Sequence, residues 1–121
     1  MSPSTTQRGQ QAEALAVQYL EQEGYQIVEL NFRIRGGEID IIAEERGVLC
    51  LVEVRSRRST EYGHPLETIN HKKRKRLLLA ANHLLLKRGW SEKEIRFDVV
   101  AIVYQPVLEI VLVRGAFDAS S

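Results

Sequence analysis

Residues 35–58 read RGGEIDIIAEERGVLCLVEVRSRR, two apolar runs joined by a short polar turn. Glu38, Asp40, Glu53 and Arg55 interrupt those runs where a plain core strand would carry Val or Ile. Period two places Glu38, Asp40 and Ile42 on one face of the first run, and Ile39, Ile41 and Ala43 on the other. In the second run, Leu49, Leu51, Glu53 and Arg55 oppose Val48, Cys50, Val52 and Val54. Whether the two polar sets meet depends on hairpin register, because a one-residue slip turns one strand over relative to its partner. A four-residue loop, Glu44–Gly47, with Gly47 in the left-handed position after a type I turn, pairs Ile42 with Leu49 and Asp40 with Leu51. Glu53 then lies diagonally from Asp40 on one face, whereas a three-residue loop separates them.

Upstream, Gly9, Ala12, Ala16, Tyr19 and Leu20 recur at helical spacing before Gly24, which predicts a helix over roughly Gln7–Glu23. Glu13 falls within the apolar stripe of that helix. Its carboxylate either reaches the domain edge or an arginine, or points at a site built on the sheet. A strand is expected over Tyr25–Leu30, with Gln26 and Glu29 on its exposed side. Asn31–Gly37 then reads as a connection bearing Arg33 and Arg35, in which Gly36 and Gly37 permit a positive φ or a close backbone approach.

Downstream, Arg55–His64 reads as a charged loop with Arg55, Arg57 and Arg58 at its start. Pro65 opens a short turn, and Asn70 caps a helix to about Arg88 that Gly89 closes. The first turns of this helix, His71, Lys72, Lys73, Arg74, Lys75 and Arg76, put cations at the end where the helix dipole favours acids. Such a start suits phosphates; the plain alternative is a solvated basic face. Strands follow over Ile95–Tyr104, carrying a structural Asp98, and Val107–Arg114. The helix between the hairpin and the Ile95 strand is long enough for a crossover, so those strands are expected to be parallel. The fold class is therefore α/β: one domain over residues 1–121, order α-β-β-β-α-β-β, with a mixed five-stranded sheet flanked by helices and frayed tails at about 1–6 and 118–121.

The 121 residues, 44% hydrophobic and 27% charged, suffice for one packed core. A net charge of +1 leaves any nucleic-acid signal to the local distribution of charge. Cys50 has no partner for a disulfide, no apolar run approaches the length of a membrane span, and the N-terminal stretch lacks a signal-peptide core, so a cytoplasmic protein is expected. No Gly-rich phosphate loop and no metal-ligand spacing among His64, His71, His83 and Cys50 is present.

Two carboxylates on adjacent strands suit a divalent ion such as Mg²⁺ that keeps waters and substrate phosphate oxygens as its other ligands. Arg55 beside them would hold a phosphate or the attacking water. Phosphodiester hydrolysis is one coherent reading. On spacing alone, an ion-pair ladder of Glu38, Glu53 and Arg55 on the sheet surface accounts for the same residues equally well.

GEIDIIA, with VEVRSR starting twelve residues after Asp40, resembles the YraN-like family assigned to the endonucleases, a branch of the restriction-endonuclease-like PD-(D/E)xK superfamily that includes archaeal Holliday-junction resolvases. The resemblance extends over Ala12-Glu13, Gly24-Tyr25, Asn31, Arg33, Gly63, Lys73 with Leu77 and Ala81, and RFDVV. It implies a Mg²⁺- or Mn²⁺-dependent endonuclease acting on DNA, branched DNA included, and a possible role as a homodimer presenting two sites. In that scheme Asp40, Glu53 and the Val54 carbonyl are metal ligands, and Glu13 is a helix-borne acid of the site. Arg33, Arg35, Arg57, Arg58, Lys72, Lys73, Arg74 and Arg76 are the expected nucleic-acid contacts. The last motif residue is usually lysine and here is Arg55, which stays protonated and is no general base. A protein that binds nucleic acid without cutting it is therefore the alternative, and Lys73 is the candidate to replace that lysine in space.

Overall fold

The computed structural model describes residues 5–118. Helix α1 (Thr5–Gln22) is followed by β1 (Gln26–Ile34), β2 (Gly37–Glu45) and β3 (Val48–Arg57). A short 3-10 turn (Pro65–Thr68) leads to α2 (His71–Arg88), β4 (Ile95–Val103) and β5 (Glu109–Phe117). The strands form one sheet in the order β1-β2-β3-β4-β5. Only β3 and β4 run parallel; the other neighbours are antiparallel. The α/β class, element order and parallel crossover agree with the sequence reading. Thr5 and Thr6 belong to α1 rather than to the expected tail, and the tail residues 1–4 and 119–121 lie outside the described residues.

Each face of the sheet has its own core. Ala12, Ala16 and Leu20 of α1 pack on Ile41, Cys50, Val52 and Val100, and Leu77, Ala80, Ala81 and Leu84 of α2 pack on Ile39, Ile42, Leu49 and Leu51. Small residues on both helices bring the backbones close to the sheet. Where α2 crosses the start of β2, a Cβ on Gly37 would meet the Arg76 carbonyl oxygen at 2.5 Å and the Ala80 Cβ at 3.2 Å. Gly36, one residue earlier, has φ +86. The Gly-Gly pair thus supplies both properties expected of it, one per residue.

Three strands differ from expectation, the last of them β5, which runs Glu109–Phe117 rather than Val107–Arg114. Strand β1 continues to Ile34, so Asn31 and Arg33 are strand residues, not parts of a connection. Edge position explains why periodicity misled here: Val28 and Leu30 are exposed, and Phe32 is the buried residue of the strand. Strand β3 runs on to Arg57 because it pairs with β4 as far as Arg57–Val103, which places Arg55 and Arg57 in the sheet rather than in a loop.

At the hairpin end of the sheet, Asp98 accepts from Tyr25 Oη (2.7 Å), from Arg96 Nε and Nη2 (2.8 and 2.9 Å) and from the Gly115 N–H (2.9 Å). Burial works to raise its pKa, and Arg96, Tyr25 and Gly115 outweigh it to leave the carboxyl below its usual range. Asp98 is structural, as read from the sequence.

Candidate active site

The β2–β3 hairpin turns on two residues, Arg46 (φ 51) and Gly47 (φ 82), between the paired Glu45 and Val48. Two consecutive left-handed residues make the tight turn whose twist matches that of the strands. The expected four-residue loop is thus corrected to two, and Ile42 pairs with Leu51, not with Leu49. An even-numbered change preserves face parity. Asp40 and Glu53 lie just beyond the last ladder pair, Ile41–Val52, and are electrostatic neighbours, each shifting the other.

The ladder between β2 and β3 extends from Glu45–Val48 to Ile41–Val52. Beyond it the Val54 N–H is taken by Asp40 Oδ2 at 2.8 Å, so a side chain replaces a main-chain partner. Strict alternation fails at the same place: Ile39 and Ile42 both pack on the α2 side, and Ile41 and Ala43 on the α1 side. The strands part at Asp40, which opens the sheet to a cavity of about 520 Å³. Gly9, Gln10 and Glu13 of α1 line it, with Asn31, Arg33, Glu38, Asp40, Val54 and Ser56 of the sheet.

Glu53 is 1% exposed. Its Oε1 lies 3.1 Å from Lys73 Nζ and 3.6 Å from Arg55 Nη1, whereas its Oε2 is buried with no hydrogen-bond partner. Burial first, and then the charge of Asp40, push the Glu53 carboxyl up; Lys73 opposes them in part. Burial likewise raises Asp40, against the Val54 N–H, Glu53 and Lys73. Two neighbouring carboxyls, one buried and one half-buried, do not both ionise freely, and the charge of Asp40 adds to burial in holding Glu53 above its ordinary range.

Lys73 also approaches Glu38 Oε1 at 3.5 Å, and Glu38 meets Arg33 at 3.6 Å. Asn70 accepts the Lys73 N–H at 3.0 Å, which fixes the first turn of α2 and so the point from which Lys73 reaches the sheet. Arg55 is anchored at its other edge: Nε donates to Thr68 Oγ1 (2.7 Å), and that hydroxyl donates to the Pro65 carbonyl (2.6 Å). Thr68 was not a sequence candidate, since a lone threonine in a short turn carries no periodic signal. Glu13 accepts from Asn31 Nδ2 at 2.9 Å and faces the same cavity as Asp40. It does not complete a ligand set, since among the described residues no group of three His, Cys, Asp or Glu side chains is placed to hold a metal ion.

The expected nucleic-acid contacts divide into free and committed cations. Arg35, Lys72 and Arg76 are exposed; Arg33, exposed at the cavity mouth, is paired with Glu38. Arg57 donates to the Tyr62 carbonyl and Arg58 to Gln105, both at 3.3 Å. Arg74 is half-buried, with its guanidinium 5.3 Å from the centre of the Phe117 ring. Among the described residues no helix is long and apolar enough to cross a membrane.

Fold and site together define a small α/β protein with a mixed five-stranded sheet whose second and third strands part at Asp40, beside a buried Glu53 faced by a lysine. The chain belongs to the uncharacterised protein family UPF0102, the YraN family, whose model matches residues 12–102. It is similar to a UPF0102 protein of Persephonella marina, 48% identical over 111 residues that cover 92% of this chain and 93% of the relative. A UPF0102 protein of Anaeromyxobacter sp. is 43% identical over 112 residues (92% and 84%), and one of Alkaliphilus metalliredigens 38% identical over 109 residues (90% and 96%).

Proposed function

We propose that this protein is a metal-dependent endonuclease that hydrolyses phosphodiester bonds of DNA, with branched DNA as the substrate class suggested by the resemblance to resolvases. The observation that carries the reading is the buried Glu53 beside Asp40, with Lys73 3.1 Å from Glu53 and a cavity that Asp40 and Val54 line. An ion-pair ladder on a solvent-facing surface accounts poorly for it, because Glu53 is 1% exposed and one of its oxygens is without a partner.

The donor set fits a hard divalent cation. Asp40, Glu53 and the Val54 carbonyl offer oxygen only, with fewer protein ligands than a closed structural site needs, which suits Mg²⁺ or Mn²⁺ retaining waters. The unpartnered Glu53 Oε2 supports the same assignment. Such an ion lowers the pKa of a bound water and neutralises charge on the scissile phosphate. Asp40 and Glu53 would hold it. Arg55, held by Thr68, and Lys73, held by the capped start of α2, present positive charge to the phosphate. Lys73 thereby supplies the ammonium that the hairpin lacks, and Arg55 orients phosphate or water without exchanging a proton. Arg33, Arg35, Lys72 and Arg76 track the backbone of the nucleic acid. Cutting both sides of a junction calls for two sites, hence a dimer.

The test offers single-stranded, duplex and four-way DNA with Mg²⁺ or Mn²⁺ to the wild type and to Asp40→Ala, Lys73→Met and Arg55→Lys. Metal-dependent cutting abolished by Asp40→Ala and lowered about 100-fold or more by Lys73→Met is the expected result. Salt-sensitive binding without cutting identifies a non-catalytic nucleic-acid-binding protein instead. Gain of cutting by Arg55→Lys alone would assign that outcome to the motif departure. Neither binding nor cutting at low salt overturns both readings.

A further inference from the structure

Asn31 is one of two described non-glycine residues with positive φ, and the other, Arg46, sits in the hairpin turn where that geometry is required. Asn31 has φ 56 inside β1, where extended backbone is the rule. A left-handed residue within a strand costs on the order of 1 kcal/mol, and asparagine is the non-glycine residue that tolerates it best. The conformation has a counterpart in the contacts: Asn31 Nδ2 donates to Glu13 Oε1 at 2.9 Å, and both residues line the cavity with Asp40 and Val54. Glu13 comes from α1 and Asp40 from β2, and the Asn31 amide ties the Glu13 carboxylate to the sheet.

We infer that Asn31 is a positioning residue, holding the Glu13 carboxylate at the cavity wall so that it faces the Asp40 side of the site. The inference rests on the endonuclease reading. With its carboxylate fixed by an amide donor, Glu13 acts on what occupies the cavity, a hydrated divalent ion or the water and phosphate beside it, through the oxygen that Asn31 leaves free. Without the amide, the glutamate stem has several rotamers and its charge is spread over the cavity mouth.

Asn31→Gly separates this role from a structural one, because glycine accepts φ 56 without strain while removing the amide. The experiment measures cutting by the full chain across a range of Mn²⁺ concentrations, with thermal melting alongside, for the wild type, Asn31→Gly, Glu13→Gln and the double variant. Asn31→Gly is expected to melt at or above the wild-type temperature and yet to cut about 10-fold more slowly or to require more Mn²⁺. The double variant should be no slower than Glu13→Gln alone, because the two residues act as one unit. Wild-type cutting by Asn31→Gly, or losses that multiply in the double variant, would overturn the positioning role and leave the endonuclease reading standing. Absence of cutting by the wild type removes that reading, and this inference with it.

Discussion

Lys73 Nζ stands 3.1 Å from Oε1 of Glu53, joining the first turn of α2 to the buried face of β3. A cation at the positive end of a helix is unfavourable by itself. It is offset here by a carboxyl that burial and Asp40 otherwise push toward its neutral form. The arrangement keeps charge where an apolar pair would pack better, which marks a site retained at a cost in stability.

Glu53→Gln tests that cost. Because the folded carboxyl titrates above its ordinary value of 4.5, the folded protein binds more protons than the unfolded chain as pH rises from that value. Stability therefore falls across the window from about pH 4.5 up to the raised pKa. Glutamine carries no such penalty, so the variant should gain about 1 kcal/mol near neutral pH, a rise of roughly 3–6 °C in Tm, with the gain vanishing below pH 4–5. Melting curves at several pH values read it directly, and under the proposed function cutting should be lost in the same variant.

Gly37→Ala should damage both fold and site. The added Cβ would meet main-chain atoms of α2, at Arg76, rather than a flexible side chain. Relief requires moving the helix that carries Lys73. Overpacking of this kind costs about 1–3 kcal/mol. Gly36→Ala fails for a different reason, its φ of +86, so the two variants should both lower the denaturant midpoint while only Gly37→Ala alters the Lys73–Glu53 contact.

The contrast between these glycines shows what was legible in the sequence. Hydrophobic period, the Asn70 cap and the Gly89 stop placed α2 correctly, and an 18-residue crossover implied the parallel β3–β4 pair. Loop length was misread because GluArgGly fits both a four-residue and a two-residue connection, yet both are even and the Asp40–Glu53 meeting survived. Edge strand β1 was cut short because Asn31 and Arg33 look like loop residues; one-sided burial leaves an edge strand without a clear alternating pattern. Lys73 was visible as one cation among five in the helix start, and nothing local distinguishes it from Arg74. Their separation comes from tertiary packing: one reaches Glu53, the other lies against Phe117.

Acid should loosen the opposite end of the sheet. Glu45 is held down to about 2 by its hydrogen bonds to Arg114 and then Arg96, against the effect of burial. A depressed carboxylate contributes stability that is complete above its unfolded value of 4.5 and is lost as pH falls toward 2. The full shift corresponds to ~3 kcal/mol, which the exposure of Arg114 discounts to about 1–2 kcal/mol. Glu45→Gln should therefore lower Tm at pH 7 and flatten its fall between pH 4.5 and 2; an unchanged acid limb in a pH-melting series would assign that fall to other carboxylates.

The basic start of α2 yields a prediction that divides neighbouring residues. Lys72 and Arg76 are exposed, and each phosphate contact contributes to the salt dependence of binding through counterion release. Under the proposed function, Lys72→Ala and Arg76→Ala should each weaken DNA binding and reduce the slope of log affinity against log salt by about 1. Arg74 is committed to the Phe117 ring, with a buried Nε. Arg74→Ala should leave the salt slope nearly unchanged and instead cost about 0.5–1 kcal/mol of stability through the lost cation–ring contact. Titrations at several salt concentrations paired with denaturant melts distinguish the two behaviours. If all three substitutions reduced the slope equally, Arg74 would have to leave Phe117 when nucleic acid binds, and β5 would then feel the binding event.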